Sequence, residues 1–473
     1  TNSIKDTGYD VANSCRFDDG SSAYLHKTPS GAGTSADLFT FSMWIKRGII
    51  SSSDRIVLFY AQSDAQNFDR ISFTDADVLE WKGVRSDSQA FNLTTSQVFR
   101  DISSWYHLHF IWDSADSTAD NRMRIYVNGT QVTAFGTRAN PSSGLDAIIG
   151  SAQKHSVGST GSSGTYYDGY MAEVVYLDGQ ELTPDGNTGE FDEDSGIWKP
   201  IDVSGLTFGT NGFYLDFEDS SALGNDANGS NNFTVNNLTA IDQSVSTCTN
   251  NEATLNPLVV IGNTGQTYAD GNLTFNASGT NWTATNSTIG ASQGKWYAEF
   301  KVVTLASSTG YGMVGVTGTE NITNGNFIST EANSVGLGLD YRAGNNVAVY
   351  SGGSFVQYAG ADFAAGAIVG IAVDMDNKKF YLSHNGTYLT VGGSVGDPTS
   401  GSTGTGALTI PAGIETFLFA VGGYSTSFKG TWNFGSPAYA ISSGNQDPNG
   451  YGNFEYPTNG YYALNTKNLS EYG

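Results

Sequence analysis

The sequence is poor in cysteine, in basic residues and in long apolar runs. Two cysteines among 473 residues exclude a disulfide-built scaffold, and Cys15, in the phrase SCRF, is predicted to be a small buried side chain. Only 22 lysines and arginines oppose 46 acidic residues, which gives a net charge of −24. Phosphates repel such a chain, so neither nucleic acid nor an anionic membrane is an expected partner. No apolar run is long enough to span a bilayer, so membrane insertion is not expected either.

Glycine and aromatic residues are abundant, with 59 glycines and 12% Phe, Trp and Tyr, whereas charged residues make up only 14% of the chain. This composition favours short β-strands joined by many turns. A chain of this length predicts two or more domains. It has no secretory signal and opens at Thr1 without Met, which is consistent either with processing or with an attachment segment outside this sequence.

Alternation of apolar and polar residues recurs in short segments, and no segment keeps a helical period. Many short strands with regular turn signals predict β-sandwiches. The predicted strands lie at 39–48, 55–62, 70–75, 105–113, 123–132 and 168–184, and again at 294–303, 311–317, 334–340, 346–352, 367–376, 378–386, 416–424 and 430–435.

The composition changes twice along the chain, which predicts four parts. A first sandwich is expected at 1–185, a connector at 186–256, a second sandwich at 257–436 and an Asn/Gly/Tyr-rich tail at 437–473. The connector is expected to be structured because its aromatic side chains favour burial. These side chains are Trp198, Phe213, Tyr214, Phe217 and Phe233.

Two Asn-Gly pairs follow strand-like runs, one in MRIYVNGTQV and the other in KKFYLSHNGTYLTV. Asn and Gly tolerate the positive φ angles of a type I′ turn, so both pairs predict a tight hairpin. The flanking residues do not align beyond the hairpin. The similarity therefore indicates one folding device in two separate sandwiches, rather than a repeat or a duplicated site.

Ordered motifs resemble two known families. WYHLHFIWD, NRMRIYVNGTQV and DGYMAEVVYLDGQELT resemble the laminin-G/pentraxin-like group of concanavalin-type jelly rolls over about 10–185. GKWYAEFKV, YGMVGVT, VGIAVDMDNKKFYLSHNG and the closing FLFAVGGY and GTWNFG resemble a SPRY domain over about 290–436. The resemblance implies an all-β chain of two concanavalin-like jelly-roll β-sandwiches joined by a structured connector.

A third resemblance concerns the context of the chain. SCRFDDGSSAYLHKTPSGAG, GFYLDFEDSSALGNDANGSNNFTVNNLTAIDQ and GYYALNTKNLSEYG are similar to phrases in structural proteins of tailed marine bacteriophages, often tail fibres. This implies a non-enzymatic structural and adhesion protein on the extracellular virion surface. Its expected partners are other virion proteins and a host-surface glycan or protein. A homo-oligomer, expected to be a trimer, would add avidity.

Two other functions stay open at this stage: a capsid decoration protein without receptor binding, and a secreted glycan-active enzyme. The segment EFDEDS resembles the Glu-x-Asp-x-x-Glu strand of laminarinase-type hydrolases, in which two carboxyl groups share the catalytic work. Glu190 and Asp192 match that pattern, but Ser195 takes the place of the second glutamate. The segment is therefore predicted to be an acidic turn.

The sequence predicts no bound cofactor, although one loop offers candidate ligands for calcium. Some domains of the resembled group bind calcium at a sheet rim, and the loop DSADSTADN offers Asp113, Asp116, Asp120 and Asn121. The alternative is a hairpin connection in which these side chains bond to their own backbone. Asp168, before a glycine, is a further lone candidate.

Aromatic residues in predicted loops are the candidate ligand-binding residues. Tyr166, Tyr167, Tyr341 and Tyr424 are expected to present rings to a glycan or a protein. The alternative is that these rings cap the end of a sandwich or fill a subunit interface.

Overall fold

The computed structural model describes residues 8–50, 55–160, 165–262, 265–277, 281–305, 311–318, 323–340, 347–424, 426, 428–442 and 445–473. The chain divides into an N-terminal unit that ends at Thr249 and a C-terminal unit, Asn250–Gly473. Strands account for 45% of the residues and helices for 5%, which confirms the all-β prediction. Within the described ranges, every helix is too short or too polar to cross a membrane.

The N-terminal unit contains eighteen described strands and two short 3-10 helices, Ala119–Asn121 and Ala240–Asp242. The strands are β1 Ser14–Phe17, β2 Tyr24–Lys27, β3 Leu38–Arg47, β4 Ile56–Asp64, β5 Asn67–Phe73, β6 Val78–Arg85, β7 Ser88–Val98, β8 Tyr106–Asp113, β9 Met123–Val127, β10 Thr130–Gln131, β11 Phe135–Ala139, β12 Lys154–Val157, β13 Gly169–Asp178, β14 Glu190–Phe191, β15 Trp198–Lys199, β16 Phe213–Leu215, β17 Thr234–Asn236 and β18 Gln243–Ser244.

Two antiparallel sheets form a sandwich in this unit. One has the order β10-β9-β8-β3-β13-β1-β18, with β16 also pairing β13, and the other has the order β11-β7-β6-β5-β4-β12-β2-β17. Aromatic rings join the two sheets: Phe41 of β3 lies 4.5 Å from Phe59 of β4, and Phe110 of β8 lies 5.5 Å from Trp81 of β6, between ring centroids. Cys15 is fully buried in this core, as predicted.

Residues 186–249 pack with the N-terminal unit, because three of their strands extend its sheets. β16 pairs with β13, β17 with β2 and β18 with β1. The indole nitrogen of Trp198 donates to Nδ1 of His107 on β8 at 3.0 Å. The burial predicted for the aromatic side chains of this segment is confirmed for Trp198, Phe213, Tyr214, Phe217 and Phe233.

The C-terminal unit contains twenty described strands, the α-helices α1 Phe327–Thr330 and α2 Thr466–Tyr472, and the 3-10 helix Pro398–Thr403. The strands are β19 Ile261–Gly262, β20 Thr267–Ala269, β21 Thr274–Asn276, β22 Trp282–Ala291, β23 Lys295–Leu305, β24 Tyr311–Gly318, β25 Ser334–Asp340, β26 Ala348–Ser351, β27 Ser354–Tyr358, β28 Ile368–Asp374, β29 Lys379–His384, β30 Thr387–Tyr388, β31 Thr390–Val391, β32 Ser394–Val395, β33 Leu408–Thr409, β34 Phe417–Tyr424, β35 Phe428–Asn433, β36 Asn445–Gln446, β37 Asn453–Phe454 and β38 Tyr462–Ala463.

A second sandwich forms in the C-terminal unit. Its seven-stranded sheet has the order β19-β22-β34-β24-β25-β26-β27, and its nine-stranded sheet contains β20-β21-β35-β23-β28-β29-β30, with β33 beside β29 and β38 beside β23. Phe419 of the first sheet packs 5.5 Å from Trp432 of the second, between ring centroids. The C-terminal residues cover part of the nine-stranded sheet, because Phe454 and Tyr461 form a buried cluster with Tyr297 on β23.

Both Asn-Gly pairs form the predicted tight turns. Asn128 and Gly129 have φ angles of 47° and 76°, and Asn385 and Gly386 have φ angles of 46° and 80°. Each asparagine also ties its hairpin to the neighbouring strand, because its side-chain oxygen accepts a backbone N–H at 2.8 Å, from His107 in one unit and from Ile368 in the other. The two sandwiches therefore use the same device, which explains the similar phrases in the sequence.

Candidate functional site

The four tyrosines predicted to bind a ligand lie in different environments. Tyr167 is fully buried, and its hydroxyl donates to the carbonyl oxygen of Lys46 at 2.8 Å. This differs from the exposed position that the sequence predicted, because the ring packs edge-on to Phe17 in the core. Tyr166 is half-buried with its ring 6.2 Å from that of Tyr24.

The other two predicted tyrosines belong to the C-terminal unit. Tyr424 is half-buried at the end of β34, and its ring packs against those of Tyr311 and Trp282, with centroids 5.9 Å away in both cases. It therefore forms part of an aromatic group at a sheet end. Tyr341 lies outside the described residues.

The loop with the predicted calcium ligands uses its carboxylates for local hydrogen bonds. Asp113 accepts from the backbone of Ala115, and Asp116 accepts from Thr118 at 2.6 Å. Asp120 accepts from Arg138 at 3.0 Å, and Asn121 donates weakly to Asp116 at 3.3 Å. In the described parts of the chain, these three carboxylates do not come together as a possible metal site. Their bonds to nearby backbone and side-chain groups are those of the alternative, a hairpin connection held by its own Asp and Asn residues.

Asp168 is different, because the structure brings two other carboxylates to it. Oxygens of Asp18, Asp19 and Asp168 all lie within 4.8 Å of one another. Partial desolvation, followed by the charge of Asp18, raises the pKa of Asp19, whose side chain remains exposed at the surface. Calcium takes six to eight oxygen ligands at 2.3–2.6 Å, and these three carboxylates would supply only part of such a set. The separation of about 150 residues between Asp18 and Asp168 hid this group from the sequence.

The EFDEDS segment forms the acidic turn that the sequence predicts. Its strand β14 pairs with β15, and Lys199 lies 3.3 Å from the carboxylate of Glu190 and 3.5 Å from that of Asp192. Hydrogen bonds from Ser195 lower the pKa of Asp192. Both carboxylates therefore lie beside the same lysine.

An uncharged cleft in the C-terminal unit, here called the edge cleft, combines exposed aromatic rings with polar side chains. It has a volume of about 420 Å³. Tyr358 is 60% exposed and Phe355 52% exposed, and their ring centroids lie 5.1 Å apart. The lining residues are Gln357, Tyr358, Ala359, Gly360, Ala361, His384, Thr387, Tyr388, Leu389 and Thr390.

The two walls of the edge cleft come from different sheets. One wall is β27, the edge strand of the seven-stranded sheet, and the other is the β29–β30 hairpin of the nine-stranded sheet. The amide of Gln357 ties β27 to the segment that follows this hairpin, because it donates to the carbonyl oxygen of Thr390 at 2.6 Å and accepts from the backbone of Gly392 at 3.2 Å. His384 packs edge-on to Phe363 at 4.7 Å between centroids. These contacts fix the cleft without using the ring of Tyr358.

Sequence reasoning did not identify this cleft. The segment SFVQY follows a Gly-Gly turn and carries three large apolar side chains, which is the signal that marks it as a strand. Such a strand is normally assigned to the core. Its exposure depends on its position at the edge of the sheet, which is set by the order of strands and not by local residues.

With this geometry established, comparison with known proteins supports the fold. Residues 19–185 match the laminin-G-type model of the concanavalin A-like lectin/glucanases superfamily. This confirms the predicted laminin-G resemblance of the first sandwich over those residues. No curated protein matches the sequence.

Several solved structures are similar at low identity. The SPRY domain of human HERC1 is 14% identical, covers 38% of this chain and 96% of its own, and has a TM-score of 0.27. A heptameric SAP-like pentraxin from Limulus polyphemus is 16% identical, with coverages of 37% and 80% and a TM-score of 0.27. Domain 4 of the arabinanase AbnA from Geobacillus stearothermophilus, in complex with arabinotriose, is 14% identical, with coverages of 32% and 65% and a TM-score of 0.24.

Proposed function

We propose that this protein is a non-enzymatic structural and adhesion protein on the surface of a tailed-bacteriophage virion, such as a tail fibre, and that its edge cleft binds a neutral host-surface glycan. The observation that carries glycan recognition is the exposed ring of Tyr358 beside a cleft lined by uncharged side chains. The match of residues 19–185 to a superfamily of lectins and glucanases supports glycan recognition by the chain, although it covers the N-terminal unit and not the edge cleft.

The chemistry of the edge cleft suits a sugar. The apolar face of a pyranose packs on an aromatic ring, and its hydroxyls need both donors and acceptors at the rim. Tyr358 offers the ring, whereas Thr387, Thr390 and His384 offer polar groups. The volume of about 420 Å³ lies within the range of small-molecule sites. Since none of the described residues in the lining is an acid, a lysine or an arginine, a neutral glycan is favoured over a charged one.

The environment of the EFDEDS carboxylates supports a binding role rather than hydrolysis. A glycosidase needs one carboxyl group with a raised pKa to protonate the leaving oxygen. Asp192 has a lowered pKa, and Lys199 lies 3.3 Å from the carboxylate of Glu190 and 3.5 Å from that of Asp192. The proposal therefore includes no catalytic activity and no catalytic residue.

The virion context rests on the resemblance of the N-terminal, central and C-terminal phrases to phage structural proteins. A net charge of −24 on each chain would make virions that carry this protein repel one another in solution. The partners proposed are other virion proteins and the host glycan. A homo-oligomer, proposed to be a trimer, would convert weak single-site binding into avidity.

The test compares the wild-type protein with Tyr358→Ala, Tyr358→Phe and Val395→Ala on an array of neutral and acidic bacterial oligosaccharides. Loss of one stacked ring should weaken binding of neutral glycans roughly three- to tenfold. Tyr358→Phe keeps the ring and should bind as the wild type does. Val395 is 61% exposed and aliphatic, so its replacement is the matched surface control.

Three results would overturn the proposal. If Tyr358→Ala binds every neutral glycan as well as the wild type, the edge cleft is not the site. If the protein shortens a polysaccharide substrate, the enzyme alternative replaces the adhesion function. If it coats isolated phage heads and binds no glycan on the array, the decoration alternative replaces it.

A further inference from the structure

A second cleft in the C-terminal unit, here called the lysine cleft, has the opposite chemistry to the edge cleft. It lies on the nine-stranded sheet and has a volume of about 360 Å³. Lys301 and Lys429 line it together with Thr274, Thr431 and Tyr439. In a protein with a net charge of −24, two lysines in one small cleft stand out from the surrounding surface.

The register of the sheet explains why these side chains meet. Lys301 on β23 is paired with Thr431 on β35, which is paired in turn with Thr274 on β21. Directly paired residues point to the same face of a sheet. Lys429 precedes Thr431 by two residues, so alternation places it on that face as well. Four polar side chains from three neighbouring strands therefore converge.

Neighbouring groups orient the lysine and threonine side chains of the cleft. Lys301 Nζ lies 4.6 Å from the ring centroid of Tyr439, which places the ammonium over the ring face. The hydroxyl of Thr274 donates to the carboxylate of Asp270 at 2.6 Å and so accepts from Thr431 at 2.7 Å. Asp270 thereby fixes the direction of both threonine hydroxyls.

The charges of the cleft favour an anion. Across the described residues, neither Lys301 nor Lys429 lies within ion-pair distance of a carboxylate. Among the described residues of the lining Asp270 is the single acidic side chain, and it is engaged by Thr274. Two lysines against one aspartate leave one positive charge in excess. A carboxylate held between the two ammonium groups would gain charge-assisted hydrogen bonds.

We propose that the lysine cleft is a second carbohydrate site, which takes a sugar residue that carries one anionic group, a carboxylate or a sulfate. The lysines bind the anionic group, the threonine hydroxyls accept hydrogen bonds from the ring hydroxyls, and the exposed side of Val303 lies against the ring. The choice of an anion comes from the charges of this cleft, whereas the choice of a sugar rests on the proposed glycan recognition. The site is separate from the edge cleft.

The experiment uses tri-galacturonate, its fully methyl-esterified form and galactose 6-sulfate as probes in isothermal titration calorimetry with the full chain. The variants are Lys301→Gln, Lys429→Gln, the double variant and Lys301→Arg as the charge-preserving control. Each lost lysine should weaken binding of an acidic probe about tenfold, which corresponds to one charge-assisted hydrogen bond. Lys301→Arg and Tyr358→Ala should retain acidic-probe affinity. Which acidic probe binds more tightly distinguishes the carboxylate from the sulfate.

Several outcomes would overturn the inference. Equal affinity of the Tyr358→Ala variant, which lacks the ring of the edge cleft, for tri-galacturonate and its methyl ester would remove the role of the anionic group. Unchanged binding of both acidic probes by the folded double variant would place their site elsewhere. Full competition by inorganic sulfate at the same concentration would show an ion site without sugar recognition. If Tyr358→Ala loses neutral-glycan binding and keeps its affinity for the acidic probes, the two clefts act as separate sites, as this inference requires.

Discussion

Glu173 should make the stability of the N-terminal unit depend on pH. Its carboxyl group is buried in β13, where the hydroxyl of Tyr214 lies 2.9 Å from both carboxylate oxygens and that of Tyr9 lies 3.3 Å from one of them. Burial raises the pKa of Glu173 from 4.5 to about 8, against the opposing effect of the tyrosine hydrogen bonds. At neutral pH the folded protein therefore holds this carboxyl group in its protonated form.

The direction of the effect follows from this raised pKa. Between pH 4.5 and 8 the folded state keeps a proton that the unfolded state releases. The stabilisation is complete below pH 4.5 and is lost as the pH rises towards 8. Each pH unit in that window lowers the free energy of unfolding by about 1.4 kcal/mol, so the ceiling between pH 5 and pH 8 is about 4 kcal/mol.

Glu173→Gln removes the titrating group and keeps a side chain of the same shape. Chemical unfolding of the wild type and the variant would be followed at pH 5, 6.5 and 8, with Glu193→Gln as the exposed control. Between pH 5 and pH 8 we expect the free energy of unfolding to fall less in Glu173→Gln than in the wild type. The difference between the two falls should reach at most about 4 kcal/mol. The same pH dependence in wild type and Glu173→Gln would refute the reasoning.

Two other predictions concern packing in the C-terminal unit. Asn385→Gly keeps the positive φ angle but deletes the 2.8 Å bond to the backbone of Ile368, so urea unfolding should show a loss of about 1 kcal/mol. Asn385→Ala should lose about 1–2 kcal/mol more, because alanine is strained at that angle, and equal stability of the two variants would contradict this account. A Cβ added at Gly430 would lie 2.0 Å from the ring of Phe300. Gly430→Ala should therefore lower the free energy of unfolding by at least about 1–3 kcal/mol, and an unchanged melting temperature would show that the ring can move away.

Local sequence was enough for several features of the fold. The Asn-Gly pairs predicted both tight hairpins, because these two residue types tolerate the positive φ angles that such a turn requires. Alternation predicted strands such as β3 and β29, whose side chains divide between two faces. The burial of Trp198 and Phe233 followed from their large apolar area.

The candidate sites were much less accessible to the sequence. Tyr166 and Tyr167 are neighbours in one predicted loop, yet Tyr167 is fully buried and Tyr166 is half-buried. The carboxylates of Asp18 and Asp168 are far apart in the chain and adjacent in space. The exposure of Tyr358 depends on which strand forms the edge of a sheet.

The sequence by itself therefore determined the all-β class, the positions of many strands and the two matching hairpins, since these depend on neighbouring residues and on backbone conformation. Only the tertiary structure decided which side chains share a face, a cleft or a buried cluster. Lys301 and Lys429 lie on different strands, and only the pairing of β23 with β35 brings them into one cleft. Strand order and register set such long-range neighbours, and no local pattern encodes them.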